Sequence, residues 1–160
     1  MIHQSSKGLT LTELMLGTAI MAIVVIGIFS ICNASMTLID MAGTLTQMMN
    51  TASDRLELLY DVADVNFAAL DGFNGQTFDL GAFAFNSIAV SAATGLYRVE
   101  PLSPDLKRVT VSVFYRIKGE RVIGEDINLD GVLNPGEDIN GDGRLTSPAE
   151  ATTIIARKLP

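Results

Sequence analysis

The chain has 160 residues, 48% of them hydrophobic, and a net charge of −7. That length leaves room for one small globular domain beside a membrane segment, and the charge offers no basic footprint for a nucleic-acid partner. Cys32 is the lone cysteine, which excludes an intrachain disulfide and reads as a small buried hydrophobe.

Residues 1–8 form a short polar segment ending in Gly8. An apolar run follows at once, with a single carboxylate, Glu13, near its start. From Leu14 to Ile31 there are 18 residues without a charge, close to the minimum that crosses a bilayer as a helix. A secretory signal core is shorter, about 7–15 residues, and ends at small residues. A lipoprotein cut before Cys32 is disfavoured by the bulky Ile31. Hydrocarbon makes an unpaired carboxylate costly, so Glu13 needs a partner. The plain alternative is a helix-start acid favoured by the macrodipole.

Leader, terminal glycine, Glu13 and apolar run together resemble the N-terminal signature of type IV pilins and type II secretion pseudopilins, over roughly residues 5–31. The resemblance implies cleavage between Gly8 and Leu9 by a prepilin peptidase, N-methylation of Leu9, and Glu13 as the family glutamate. In a filament, Glu13 would then meet the Leu9 ammonium of a neighbouring subunit and set axial register. Leu9 stands where the family usually has phenylalanine, and Thr12 where isoleucine or valine is usual. No proline interrupts the helix. These departures resemble a minor pilin or pseudopilin more than a major pilin. Glu13 itself points away from the apex pseudopilin, which often lacks it. His3, the sole histidine, falls in the expected leader, so the processed chain has none for a catalytic triad or a metal site.

The helical pattern continues from about Thr10 to Ala63, giving a membrane half (9–35) and an amphipathic half (36–66). Met41, Leu45, Met48, Ala52, Leu56, Leu59 and Ala63 recur at spacings of three and four, which predicts a stripe facing a domain core. Thr44, Gln47, Thr51 and Asp54 fall on the wet side. Residues 64–95 read as loop, broken at Asp71–Gly75 and covering a sheet edge. A hairpin follows: a strand over Leu96–Leu102, a turn at Ser103–Asp105 with Pro104 in its preferred place, and a strand over Arg108–Ile117. In the second strand Val109, Val111, Val113, Tyr115 and Ile117 share a face, and Phe114 interrupts the polar one. Thr152–Arg157 reads as a last short strand. The expected fold is α+β and pilin-like, a long N-terminal helix on a small antiparallel sheet carrying a loop insertion, with 67–160 as the globular β domain.

The acidity sits in that insertion. Residues 125–150 hold seven acids against one base, Arg144, whereas the rest of the chain holds 11 acids against 10 bases. The segment is a repeat of period 12, Glu125–Gly136 and Glu137–Pro148, and each copy contains Asp-x-Asn-x-Asp-Gly. This resembles the calcium loops of EF-hand and dockerin repeats, in which alternate residues present oxygens around a sharp turn. The resemblance assigns Asp126, Asn128, Asp130, the Val132 carbonyl and Glu137 to the first loop. To the second it assigns Asp138, Asn140, Asp142 and the Arg144 carbonyl, with Ala149 at the last position and Glu150 one residue late. The abutting copies, with Pro135 and Pro148, leave no room for EF-hand helices. A solvated acidic turn array without metal is the plain alternative. Weak affinity, about 10⁻⁴–10⁻³ M, would suit a calcium-rich compartment outside the cytoplasm. Without metal the like charges would repel and the loop would disorder; with calcium bound the strands flanking it could close.

The reading is a non-enzymatic filament subunit, a minor pilin or pseudopilin of a type IV pilus or type II secretion system. It is a single-pass protein of the bacterial cytoplasmic membrane with its domain outside, later a periplasmic or extracellular filament. Its partners would be the prepilin peptidase and other pilin-like subunits, and its cofactor calcium. The alternative is a membrane-tethered, calcium-dependent adhesion module that does not polymerise.

Overall fold

The computed structural model describes residues 10–85, 88–117 and 121–158. Gly8 and Leu9 lie outside the described residues. The chain divides into two compact units, the first ending at Ile39 and the second beginning at Asp40.

Helix α1 runs without interruption over Leu11–Val65, 55 residues. Its first turn is closed by a capping box. The Thr10 main-chain N–H and hydroxyl both donate to the Glu13 carboxylate, at 2.9 and 2.7 Å, and the Glu13 N–H donates back to Thr10 Oγ1 at 3.3 Å. In the first unit α1 exposes apolar side chains all round, among them Ile20, Ile26, Phe29 and Ile31. The helix is long and apolar enough to cross a membrane, and none of its most apolar window is buried within the chain. Hydroxyls on this stretch satisfy themselves: Thr18, Ser35 and Thr37 donate to carbonyls three or four residues back.

In the second unit α1 turns one face to a sheet. Met48, Ala52, Leu59 and Ala63 are buried, with Leu45 and Leu56 partly so. Thr44 departs from the expected wet side and is fully buried. Its hydroxyl donates to the Asp40 carbonyl at 3.0 Å, so the polar atom needs nothing from the core. Asn66 ends the helix in extended backbone and caps a 3₁₀ turn, Phe67–Phe73, by accepting from the Ala68 N–H.

The strands are β1 (Thr77–Asp79), β2 (Phe83–Phe85), β3 (Ile88–Ser103), β4 (Leu106–Ile117), β5 (Arg121–Ile123) and β6 (Ala149–Ala156), paired antiparallel in one six-stranded sheet. β3 and β4 form the central hairpin, β1 and β2 flank β3, and β5 and β6 flank β4. Long apolar helix and antiparallel sheet together make an α+β, pilin-like architecture.

The stretch 64–95 is not the expected loop. It holds the 3₁₀ turn, β1, β2 and the first half of β3. Ser91, Ala92, Ala93, Thr94 and Gly95 carry little local strand signal. Pairing with β4 supplies it, from Val90 opposite Ile117, past a bulge at Ser91, and then in register from Ala92 opposite Arg116 to Gly95 opposite Val113. Gly95 also lies beneath the Phe78 ring of β1, where a side chain would collide. β6 likewise begins three residues before the expected strand, because Ala149–Ala151 pair with Val113–Val111.

Both sheet faces are covered. Val109, Val111, Val113 and Tyr115 face the α1 core. Phe114, the exception in the alternation, belongs to a second cluster with Leu96 and Leu145, against which Leu129 packs. The acidic segment contributes two of those four residues, so it roofs the face opposite the helix.

Candidate functional site

No helix interrupts the chain between Ile123 and Ala149. Each period-12 copy folds into the same turn. Positive φ recurs at a spacing of 12: at Gly124 and Gly136, each just before a copy, then at Leu129 and Gly131 in the first copy and at Gly141 and Gly143 in the second. Only the first copy puts a side chain there, at Leu129 (φ 63°), and its apolar body packs against the Phe114 cluster.

The side-chain oxygens repeat as faithfully. Asp126 accepts the N–H groups of Asp130 and Gly131 at 3.1 and 2.8 Å; Asp138 accepts those of Asp142 and Gly143, each at 3.0 Å. Asn128 Oδ1 accepts the Asp130 N–H, and Asn140 Oδ1 that of Asp142. Asp130 accepts the Val132 N–H at 2.7 Å, and Asp142 the Arg144 N–H at 3.0 Å. The motif is thus a folding instruction before it is a ligand set: short Asp and Asn side chains satisfy the amides that the sharp turn removes from any ladder.

Polar side chains of the sheet hold the loops down. Thr94 Oγ1 donates to the Leu129 carbonyl, Arg116 to the Ile127 carbonyl and Arg98 to the Leu145 carbonyl. Gly131 passes so close to Thr77 that a Cβ would collide, and Gly124 is similarly tight against Phe114. Asp126 is fully buried. Burial pushes its carboxyl above the usual range, and the Glu137 charge acts in the same direction, against the Gly131 and Asp130 amides. Asp130 is held below its ordinary value chiefly by the Val132 amide, and Asp142 chiefly by the Arg144 side chain.

The oxygens assigned from sequence fall in two sets, Asp126, Asn128, Asp130 and the Val132 carbonyl, then Asp138, Asn140, Asp142 and the Arg144 carbonyl; within each set the first aspartate and the asparagine accept from the same amide. Among the described residues no group of three or more Asp, Glu, His or Cys side chains is arranged to hold a metal ion. Each set instead combines two aspartates with an asparagine and a carbonyl. An all-oxygen donor set of this kind fits a hard cation, calcium rather than zinc. A side-chain nitrogen donates to the middle aspartate in both. The Asn134 amide donates to Asp130 at 3.2 Å and to the Val132 carbonyl at 3.0 Å. In the second loop Arg144 Nε donates to Asp142 at 2.8 Å. Asn134 stands at the ninth place of loop one, which the ligand spacing of a calcium loop includes, and a half-turn of its amide would present an oxygen beside Asp130 and the Val132 carbonyl.

The two glutamates at the repeat boundaries behave differently from the aspartates. Glu137 accepts the N–H groups of Ile127, Asn128 and Asn134. Glu125 accepts those of Ile139, Asn140 and Thr146, and the Thr146 hydroxyl at 2.7 Å. Burial would raise the Glu125 carboxyl, but the Thr146 hydroxyl and these amides outweigh it and hold the group below its ordinary value. Glu150 lies on β6, opposite Ser112 of β4, whose hydroxyl donates to it at 2.7 Å. At the other end of the chain, Glu13 is engaged with Thr10. Comparison with family models, with curated proteins and with solved structures gives no match.

Proposed function

We propose that this chain is a structural subunit, a minor pilin or pseudopilin, of a type IV pilus or type II secretion filament. The carrying observation is the first stretch of α1: apolar on every side, unburied within the chain, and opened by Glu13. A lone chain has no use for such a surface except a membrane or copies of itself. The subunit sits in the cytoplasmic membrane with residues 40–160 outside. The prepilin peptidase removes residues 1–8, Leu9 is methylated, and the apolar helix packs with those of neighbouring subunits in a filament. No step of this role calls for catalysis. The test is the intact mass of the membrane-extracted protein. Loss of residues 1–8 with gain of one methyl group supports the reading, and an unprocessed Met1 overturns it.

The acidic segment is proposed to hold calcium. Asp126, Asn128, Asp130 and the Val132 carbonyl would hold it in the first loop, and Asp138, Asn140, Asp142 and the Arg144 carbonyl in the second. Calcium, when bound, supplies positive charge where the segment is most negative, which stabilises the folded loops by mass action. The residues themselves turn the chain, fix the loops to the sheet and keep Asp126 from water.

The second reading is a tethered interaction module that does not polymerise. The capping box favours it: Glu13 already has a partner in its own chain. Filament incorporation of Glu13→Leu separates the two. A pilin needs the carboxylate, whereas a tethered module has no filament to lose.

A further inference from the structure

The second loop lacks an acid at its last position, where Ala149 stands. Glu150, the nearest acid in sequence, is taken up by Ser112 on the sheet. The acceptor that does reach this loop comes from the other direction. Glu137 accepts amides at the second, third and ninth places of loop one, Ile127, Asn128 and Asn134. Glu125 accepts amides at the same three places of loop two, Ile139, Asn140 and Thr146. The main chain repeats the relation: the Glu125 N–H donates to the Thr146 carbonyl at 3.0 Å, and the Glu137 N–H to the Asn134 carbonyl at 3.1 Å. Both glutamates are almost wholly buried, at 7% and 4% exposed, so water does not compete for these carboxylates.

We infer that Glu125 closes loop two as Glu137 closes loop one, so that each repeat begins with the acid that completes the other. Loop two is complete only when the start of loop one has been laid across it. The pair is one unit built by exchange, and loop two cannot close if residue 125 is displaced. Four hydrogen bonds fill the acceptor positions of Glu125, which makes it a positioning residue and not a ligand. For calcium the inference rests on the reading above. Binding at loop two then depends on a residue 13 positions before Asp138.

The experiment uses the full chain in detergent micelles, labelled with ¹⁵N. In chelator, amide hydrogen exchange is compared for Glu125→Gln, Glu137→Gln and Glu150→Gln. Glu125→Gln is expected to speed exchange at Ile139, Asn140 and Thr146 by about tenfold or more, the weight of a charged hydrogen bond, while Ile127, Asn128 and Asn134 keep their protection. Glu137→Gln is expected to give the mirror pattern, and Glu150→Gln neither. Thr146→Val, a milder change, should loosen loop two alone. Calcium is then titrated while the Gly131 and Gly143 amides are followed. Glu125→Gln should weaken the Gly143 response and spare Gly131. Exchange that rises equally in both loops, or a Gly143 response lost on Glu150→Gln and kept on Glu125→Gln, overturns the inference. If the parent chain takes no calcium, the calcium reading fails on its own, and the crossed exchange pattern still decides the closure.

Discussion

Loop one and loop two share their turns, their positive-φ places and their aspartate caps, yet they live in different surroundings. Asp126 is fully buried, and the Leu129 and Ile127 carbonyls are tied to Thr94 and Arg116 on the sheet. Residues 139–144 are exposed throughout. One local code has thus been written twice; the sheet holds the turn of the first copy, whereas it meets the second only beyond its turn, at Leu145 and Ser147. Equivalent substitutions in the two loops should therefore cost different amounts, and the gap measures what tertiary packing adds to an identical turn.

The largest gap is expected between two glycines. Gly131→Ala meets both a left-handed backbone and the Thr77 methyl, whereas Gly143→Ala meets the backbone alone, with open space beyond. Strain of about 1–2 kcal/mol applies to both, and overpacking adds about 1–3 kcal/mol to the first. Denaturant unfolding of the full chain in detergent should separate them by about 2 kcal/mol, and equal costs would remove the distinction between the loops. Chelation comes next. Thermal melting in calcium at about 100 times its dissociation constant should show about 2.7 kcal/mol of stabilisation over chelator for each occupied loop. Asp130→Ala should lose the share of loop one and Asp142→Ala that of loop two, and no shift in any of the three proteins would remove the metal from the account.

Asp126→Ala and Asp138→Ala sharpen the contrast without metal. Each strips an acceptor from two amides. In chelator the buried pair should cost about 2–3 kcal/mol, because water cannot replace the lost acceptor, and the half-exposed pair under about 1 kcal/mol. The smallest effect belongs to Leu129→Gly. It relieves left-handed strain and forfeits packing on Phe114, so the two offset to within about 1 kcal/mol. A loss well beyond that would mean that Leu129 is a main anchor of loop one.

Much of this architecture was legible along the chain. α1 reads from its apolar run, its three-and-four spacing and the absence of proline, and β4 from the alternation of Val109, Val111, Val113 and Tyr115. The period of 12 announces the paired turns, since Asp, Asn and Gly at those spacings satisfy and permit the same sharp bends wherever they occur. Thr44 escaped because a helical hydroxyl can bond backwards and then be buried like a valine. The first half of β3 escaped because alanine, serine and glycine show no preference until a partner strand imposes one. Glu125 escaped because ligand spacing counts only forward from the first aspartate, and Asn134 because the ninth place of a calcium loop is often filled through water.

By itself the sequence determined what depends on neighbours along the chain: the capped apolar helix, the turn at Pro104, and the two aspartate-closed loops. These rest on dihedral preference, side-chain periodicity and hydrogen bonds spanning a few residues. Only the tertiary structure decided which loop is buried, what Phe114 packs against, and that Glu125 serves loop two and not its own. Such relations join groups many residues apart. No local preference encodes them, because they exist only once the sheet has brought both copies of the repeat to the same face.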